Sequence, residues 1–321
     1  ATLAPLHAEP SAAASSPELA AARELFAARR DAEAQSAFEQ ILAADPSNAE
    51  ARYHLGRLAK RRGDWKAVAE NYEHCTQLAP GVALYWADLG EAYGKLAGKA
   101  GVFQQLGLAR KCRAALVKSV ELAPDNLEYR HGLIEFYEEA PSIAGGGRAK
   151  ALAQAAEIAK RDAYAGALAT AGIHARAKNW AEAETAYRAA AQLRPESTDP
   201  LAALGLLYAD QGRFADAFAV FDKLLAREPD HFAALYQLGR VADLSGQRLA
   251  DGEAALRRYL AQPTHPTGQP TNAHAQFRLG DILARQGNTV AARAAYEEAL
   301  RLDPNLKPAA EALAKLRSQQ R

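Results

Sequence analysis

A Leu–Gly pair inside an apolar run recurs along the chain at a fixed interval. Thirty-four residues separate the first pair from the second, and the third from the fourth. Prolines that follow helix-like runs keep the same spacing, from Pro46 to Pro80 and from Pro195 to Pro229. Two independent landmarks share one period, so the sequence predicts an array of repeated units. The pairs are Leu55-Gly56, Leu89-Gly90, Leu204-Gly205, Leu238-Gly239 and Leu279-Gly280.

Two segments carry the repeat most fully. Residues 198–231 read TDPLAALGLLYADQGRFADAFAVFDKLLAREPDH, and residues 272–305 read NAHAQFRLGDILARQGNTVAARAAYEEALRLDPN. Each contains the Leu–Gly pair, a turn Gly, a small Ala, an aromatic residue and a closing Pro. They resemble the tetratricopeptide repeat (TPR) family, whose unit is a 34-residue helix–turn–helix. The resemblance implies an all-α fold, a right-handed superhelical solenoid of about eight such units.

In this register the chain divides into three parts. Residues 1–14, rich in Ala, Pro and Ser, are expected to be flexible, and residues 15–306 to form the repeat array. Residues 307–321 are expected to form a capping helix and tail, because Leu313 and Leu316 share one helical side. The predicted repeats, numbered 1 to 8, are 15–48, 49–82, 83–126, 127–163, 164–197, 198–231, 232–272 and 273–306.

The glycine of each Leu–Gly pair is expected to lie where the second helix of the repeat crosses the first. A Cβ at that point would push the two backbones apart. Three repeats lack the pair: repeat 1 has Ala21-Ala22, repeat 4 has Leu133-Ile134 and repeat 5 has Thr170-Ala171. We therefore expect looser helix packing in those three repeats.

Three segments depart from the 34-residue period. Repeat 3 carries an insertion at 97–107, which predicts a longer helix pair, and repeat 4 carries the turn APSIAGGG at 140–147. Three consecutive glycines predict a flexible turn. Both segments are similar to those of bacterial-type TPR proteins, a resemblance that implies no activity. A Pro-rich loop at 261–272 precedes repeat 8 and predicts a weak joint there.

Composition and motifs exclude several classes of function. With 39 Lys and Arg against 38 Asp and Glu, the chain lacks the basic excess that nucleic-acid binding requires, so no nucleic-acid partner is expected. No apolar run is long enough to span a membrane. No HExxH, GxSxG, CxxC or EF-hand pattern is present, so we expect no catalytic residue, metal or cofactor. The spacing of His265 and His274 does not specify a metal site, and Cys75 and Cys112 are expected in the core.

The remaining candidate for a functional site is the helix surface, and the TPR resemblance predicts which residues line its concave side. In TPR proteins one face of each first helix lines the inner, concave wall. This wall is predicted to be basic near its start, acidic in the middle, and mixed with aromatic residues near its end. Ordinary solvated helix faces are the alternative. The predicted partner-binding residues are Tyr53, Arg57, Lys60, Arg61, Glu91, Lys95, Glu135, Tyr236, Arg240, Phe277 and Asp281, and the acidic middle adds Glu128, His131, Glu138 and Glu139.

The sequence therefore predicts a non-enzymatic scaffold that binds a peptide or partner protein in its concave groove. A self-associating component, with a homodimer contact at the insertion 97–107 or the middle repeats, is the alternative. An enzyme with an unrecognised site is a remote one. The chain contains no Met and opens with an Ala/Pro/Ser-rich run, which favours a periplasmic or secreted location. A trimmed chain looks the same, so a cytoplasmic location stays open.

Overall fold

The structure is a computed structural model that describes residues 16–263 and 268–318. All regular structure in these two ranges is helical, so the predicted all-α fold is confirmed. None of these helices combines the length and the apolar character needed to cross a membrane. The segment 1–14, His265 and residues 319–321 of the predicted tail lie outside the described residues. The α-helices are α1 Pro17–Ala27, α2 Asp31–Ala44, α3 Ala49–Arg62, α4 Trp65–Leu78, α5 Ala83–Lys99, α6 Val102–Leu122, α7 Leu127–Glu139, α8 Arg148–Ala159, α9 Ala163–Arg176, α10 Trp180–Leu193, α11 Asp199–Asp210, α12 Phe214–Arg227, α13 Phe232–Ser245, α14 Leu249–Leu260, α15 Asn272–Arg285, α16 Thr289–Leu302 and α17 Lys307–Ser318.

The described residues form two compact bodies, an N-terminal body that ends at residue 173 and a C-terminal body that begins at residue 174. In the N-terminal body, α1 packs on α2, α3 on α4, α5 on α6 and α7 on α8. In the C-terminal body the pairs are α11 with α12, α13 with α14 and α15 with α16, and α17 packs on α16. Consecutive helices thus pack as pairs within each body, which is the arrangement of a helical repeat.

The turn inside a repeat is fixed by a glycine and a capping side chain. In repeat 2, Gly63 has a φ of +73°, a left-handed conformation that favours glycine. The carboxylate of Asp64 then accepts a hydrogen bond from the Ala67 N–H and caps α4. Repeat 8 repeats the arrangement with Gly287, at φ +79°, and Asn288. These two residue types therefore set where the first helix ends and the second begins.

Each Leu–Gly glycine lies against a large side chain of the second helix of its repeat. A Cβ at Gly56 would lie 2.3 Å from Tyr72, and one at Gly205 would lie 2.5 Å from Phe221. Real Cβ atoms do not approach other atoms so closely, so glycine is required for this spacing between the helices. The other pairs are Gly90 with Leu116, Gly239 with Leu256 and Gly280 with Tyr296.

The repeats without a Leu–Gly pair fill the same position with a side chain. Ala22, Ile134 and Ala171 stand there, and all three are buried. Ile134 belongs to a buried apolar cluster with Ile158 of α8 and Ile173 of α9. These positions are thus filled, and their burial gives no sign of the looser packing that was expected.

The insertion in repeat 3 and the glycine turn in repeat 4 both have regular, hydrogen-bonded structure. The insertion lengthens the helix pair, so that α5 has 17 residues and α6 has 21, against 14 for α3. The glycine turn is fixed, not free as expected. The Gly147 N–H donates to the Tyr137 carbonyl at 2.7 Å, and the Lys150 ammonium donates to the Gly145 carbonyl at 2.8 Å. A Cβ on Gly146 would overlap the Ala140 carbonyl, at 1.8 Å.

Repeats 7 and 8, which the Pro-rich loop separates in sequence, contribute to one core. The Arg278 guanidinium of α15 lies 2.6 Å from the Asp243 carboxylate of α13, and Asp243 is buried. Ile282 and Leu283 belong to the same buried cluster as Leu256 of α14. The weak joint expected at this loop is therefore bridged by apolar packing and an ion pair.

Candidate functional site

The N-terminal body contains a cavity of about 850 Å³ bounded by α5, α6 and α7, here called the α5–α7 groove. Both segments that break the repeat period contribute to its lining. The insertion supplies Gln105 and Leu106 at the start of α6, and the turn supplies Pro141, Ile143 and Ala144. Two departures that are separate in sequence thus meet at one cavity.

Glycines leave the α5 side of the groove without side chains at several positions. Gly90, Gly94 and Gly98 recur every four residues and all line the cavity, since residues four apart share one face of a helix. A Cβ on Gly94 would lie 3.6 Å from the Cys112 sulfur, and one on Gly98 would meet no heavy atom within 4 Å. An occupant of the groove can therefore approach the α5 backbone closely near Gly94 and Gly98.

Carboxylates follow the α7 side of the groove. Glu128, Glu135 and Glu139 line the cavity and are exposed. Among the described side chains, none of the three has a basic group within 4.0 Å. On the α5 side, the exposed Lys95 likewise has no carboxylate within that distance in the described ranges. The groove thus carries more unpaired negative than positive charge.

Two further carboxylates of the groove already have partners. Asp88 accepts a hydrogen bond from the Tyr53 hydroxyl at 2.8 Å, and the Glu91 carboxylate lies 2.5 Å from the Lys60 ammonium. Partial desolvation lowers the pKa of the exposed His131 imidazole, although nearby Glu135 acts in the opposite direction, so His131 adds little positive charge at neutral pH. The paired groups therefore do not reverse the negative charge of the groove.

Neither cysteine is a reactive group. Cys112 lines the groove but is only 4% exposed, and burial raises the pKa of its thiol to about 12. Cys75 is fully buried, with its sulfur 3.4 Å from the Ala49 carbonyl oxygen. Both cysteines lie in the core, as predicted, and both are free thiols. In residues 16–263 and 268–318, no group of His, Cys, Asp or Glu is arranged to hold a metal ion.

The predicted binding residues of the N-terminal body separate into two sets. Glu91, Lys95 and Glu135 line the α5–α7 groove together. Tyr53 is only 8% exposed, and its ring packs 5.4 Å from that of Tyr72. Tyr53 thus reaches the groove only through its hydrogen bond to Asp88.

The predicted basic stretch is largely occupied by contacts within the fold. The guanidinium of Arg61 lies 3.6 Å from the centre of the Phe26 ring, donates to the Phe26 carbonyl at 3.2 Å and pairs with Asp31. Arg57 lies over the same ring at 4.6 Å. Lys60 pairs with a groove carboxylate, as described above. These three side chains join repeats 1, 2 and 3 and do not form an open basic surface.

The remaining predicted residues, Tyr236, Arg240, Phe277 and Asp281, lie in the C-terminal body. Tyr236 is buried, and its hydroxyl accepts from the Arg278 Nε–H at 3.1 Å. The Asp281 carboxylate accepts from the Tyr296 hydroxyl at 2.7 Å, and burial raises its pKa to about 6. The Tyr236–Arg278 hydrogen bond joins repeats 7 and 8, whereas the Asp281–Tyr296 hydrogen bond lies within repeat 8. A partner-binding role for these residues stays a prediction. The other contacts are those of Arg240 with Asp210, at 3.2 Å, and of the Phe277 ring with Tyr296, at 6.2 Å.

Several lining residues were missing from the predicted set: Gly94, Gly98, Gln105, Leu106 and Ile143. One signal for them was present, because glycine recurs every four residues in GEAYGKLAGK and bares one helix face. The other signal was the pair of departures from the period. Their meeting at one cavity depends on tertiary packing, which the register does not supply.

Comparison with known proteins supports the fold. The structure is similar to that of a tetratricopeptide repeat protein from Parabacteroides merdae, with a TM-score of 0.52 and 13% identity, over 93% of this chain and 96% of that one. It is also similar to a chain of the APC/C hetero-tetramer Cut9–Hcn1, with a TM-score of 0.51 and 17% identity, over 93% of this chain and 55% of that one.

Sequence comparison identifies the family. A stretch of 134 residues, 40% of this chain, is 32% identical to the cellulose synthase operon protein C of Pseudomonas fluorescens (strain SBW25) and spans 10% of that protein. The part of this chain that matches thus covers about a tenth of that relative's length. The family model described as "Tetratricopeptide repeat" matches residues 19–83, 202–268 and 242–306, which together make up more than half of the chain. The chain belongs to the tetratricopeptide repeat family.

Proposed function

We propose that this chain is a non-enzymatic interaction module that binds a segment of a partner polypeptide in the α5–α7 groove. The observation that carries the proposal is that the insertion 97–107 and the turn 140–147 line the same cavity. Other helix pairs pack without such segments, so packing a repeat does not require either of them. Three glycines that form a fixed turn beside a cavity favour a role in shaping that cavity.

The groove offers an apolar surface that an occupant can cover. Leu106 and Ile143 line it, and Ile143 is 69% exposed. Covering exposed apolar surface stabilises a complex by about 25 cal/mol per Å² before the entropic cost of association is subtracted. The open α5 backbone and the carboxylates on α7 add polar contacts that orient an occupant.

The proposal is tested by selecting binders from an unbiased displayed library of 12-residue peptides. The selected peptides are then titrated against the wild-type protein and against Gly98→Trp, which places an indole in the groove. Gly172→Trp is the matched control, because a Cβ at Gly172 also meets no heavy atom within 4 Å and Gly172 does not line the groove.

We expect peptides that bind the wild type and Gly172→Trp equally and bind Gly98→Trp at least tenfold more weakly, about 1.4 kcal/mol. Thermal unfolding of both variants checks that each remains folded. If every selected peptide binds Gly98→Trp as tightly as the wild type, the groove is not the binding site and the proposal is wrong.

Self-association is a second candidate, because one specific side chain favours it. Phe103, on the insertion, is fully exposed, and such a large apolar side chain on a surface is typical of an interface. Light scattering over a range of protein concentrations tests this function. A mass that doubles with concentration, and that stays monomeric in Phe103→Ser, supports it. A monomeric wild type throughout the range excludes it.

A periplasmic or secreted location stays a prediction, because it was drawn from the absence of Met and from the Ala/Pro/Ser-rich opening run, most of which lies outside the described ranges. Fractionation of the source cells, with antibody detection of this chain in each fraction, tests it. Recovery only with cytoplasmic markers would contradict it.

A further inference from the structure

We infer that the α5–α7 groove selects a partner segment in which Lys or Arg residues stand beside apolar residues. This inference rests on the proposed function, since it specifies the chemistry of the occupant at the same site. It is carried by two observations: the three carboxylates of α7 without ion pairs, and the apolar surface that faces them.

The carboxylates form a row of defined length. Glu128 and Glu135 are seven residues apart and Glu135 and Glu139 are four apart, so all three lie on one side of α7. At 1.5 Å per residue the row is about 16 Å long. An extended segment of about five residues, or about three turns of a helix, has the same length. Two or three basic side chains on one edge of such a segment can reach the row together.

The other charged groups around the groove leave this negative charge in place. Lys60 pairs with Glu91, Asp88 accepts a hydrogen bond from Tyr53, and the lowered pKa of His131 disfavours its charged form. Lys95 is the unpaired ammonium among the described lining residues, and it stands on α5, on the opposite side of the groove from the row. A basic segment therefore gains an attraction along α7 that an acidic segment does not.

The apolar side of the groove sets the second requirement. Leu106 of α6 and Ile143 of the turn line the cavity together with the bare faces of Gly94 and Gly98. An apolar side chain of the occupant can cover these groups, whereas a second charge placed there would lose its hydration without a partner. The occupant is therefore amphipathic, with basic residues toward α7 and apolar residues toward α5, α6 and the turn.

Other classes of ligand fit the groove less well. A nucleic acid or an anionic membrane surface presents phosphates, which the three carboxylates repel. A metal ion requires several carboxylates or imidazoles around one point, and no such group is found in the described parts of the chain. A basic and apolar polypeptide segment satisfies both the charge and the apolar surface.

The inference is tested with the peptides that the unbiased library yields. We expect the groove-dependent peptides, those weakened by Gly98→Trp, to contain more Lys and Arg than Asp and Glu relative to the unselected library. The charge-reversed variant Glu135→Lys/Glu139→Lys should bind these peptides at least tenfold more weakly. The loss should shrink as salt rises, because the rim charges are exposed and are screened.

A matched variant controls for net charge. Glu182→Lys/Glu311→Lys changes the total charge by the same amount at two exposed residues outside the groove, and neither has an ion pair among the described side chains. It should bind the peptides as the wild type does. Versions of these peptides with Glu in place of Lys and Arg should bind Glu135→Lys/Glu139→Lys more tightly than the parent peptides do. Unfolding of the variant cannot produce such a gain.

The outcomes separate the inference from the proposed function. Groove-dependent peptides without basic enrichment, or peptides that are insensitive to the charge reversal, overturn the inference and leave the groove as the binding site. A library without groove-dependent binders overturns both. A wild type that dimerises, and that Gly98→Trp turns into a monomer, shows that a second copy of the chain occupies the groove and overturns the basic-partner inference.

Discussion

His54 is a titratable residue placed inside the core. Its ring stacks on Phe38 at 4.7 Å and meets the edge of Phe26 at 5.1 Å, and it is 4% exposed. Burial, and to a lesser extent Arg57 and other arginines, lowers its pKa to about 4, although Glu50 lies 3.9 Å away. The folded chain therefore holds His54 neutral at pH values where the unfolded chain protonates it.

This difference makes stability depend on pH with a defined sign. Between pH 6.5 and 4 the unfolded state binds a proton that the folded state does not, so the free energy of unfolding falls as the pH falls. Urea denaturation at pH 7 and pH 5 should show a loss in the wild type that is about 2 kcal/mol larger than the loss in His54→Phe. Equal losses in the two proteins would mean that His54 titrates normally.

Asp281 makes the free energy of unfolding depend on pH with the opposite sign. Burial raises its folded pKa to about 6, so its contribution to stability is greatest at low pH and is lost as the pH rises through 6. Asp281→Asn keeps an oxygen that can accept from the Tyr296 hydroxyl and removes the buried charge. We expect it to raise the free energy of unfolding at pH 7 by about 1–3 kcal/mol, and by less at pH 4. A destabilised variant at pH 7 would show that the Asp281 charge is needed.

Between helices, the spacing of each pair is set by a glycine at the crossing point. Gly205 shows this most simply, because a Cβ there would lie 2.5 Å from the Phe221 ring. Gly205→Leu should therefore destabilise the C-terminal body by about 1–3 kcal/mol or more through overpacking. Gly172→Leu, where a Cβ meets no heavy atom within 4 Å, should leave the melting temperature nearly unchanged or raise it. An unchanged melting curve for Gly205→Leu would contradict this helix crossing.

At this scale the sequence predicted most of the fold. Helix ends follow from glycine and a capping residue, as at Gly63 and Asp64, and these signals are local. The conformation of the glycine turn was not predictable in this way. Gly146 is required because the Ala140 carbonyl lies against it, and that contact forms only when the turn folds back on α7. A run of glycines is consistent with both a free and a fixed backbone.

For the whole molecule, the net charge of +1 hides a local separation of charge. The repeat register assigned Glu91, Lys95 and Glu135 to one wall, and the three residues line the α5–α7 groove. It could not show that Lys60 pairs with Glu91 or that Arg61 lies on Phe26, because these partners are about 30 or more residues away in sequence. The start of the predicted wall is therefore less openly basic than expected. The unpaired charge of the groove is mainly acidic, with Lys95 as the exception among the described lining residues.

In the proposed function, the segments which break the repeat period shape the groove in which this chain binds a partner. This proposal is tested by hydrogen exchange of the full chain, with and without a saturating library-selected peptide. We expect slower exchange in α5, the first half of α6, α7 and the turn 140–147, and little change in α13 and α15. Protection confined to α13 and α15, around Tyr236 and Asp281, would contradict the claim and place the binding site in the C-terminal body.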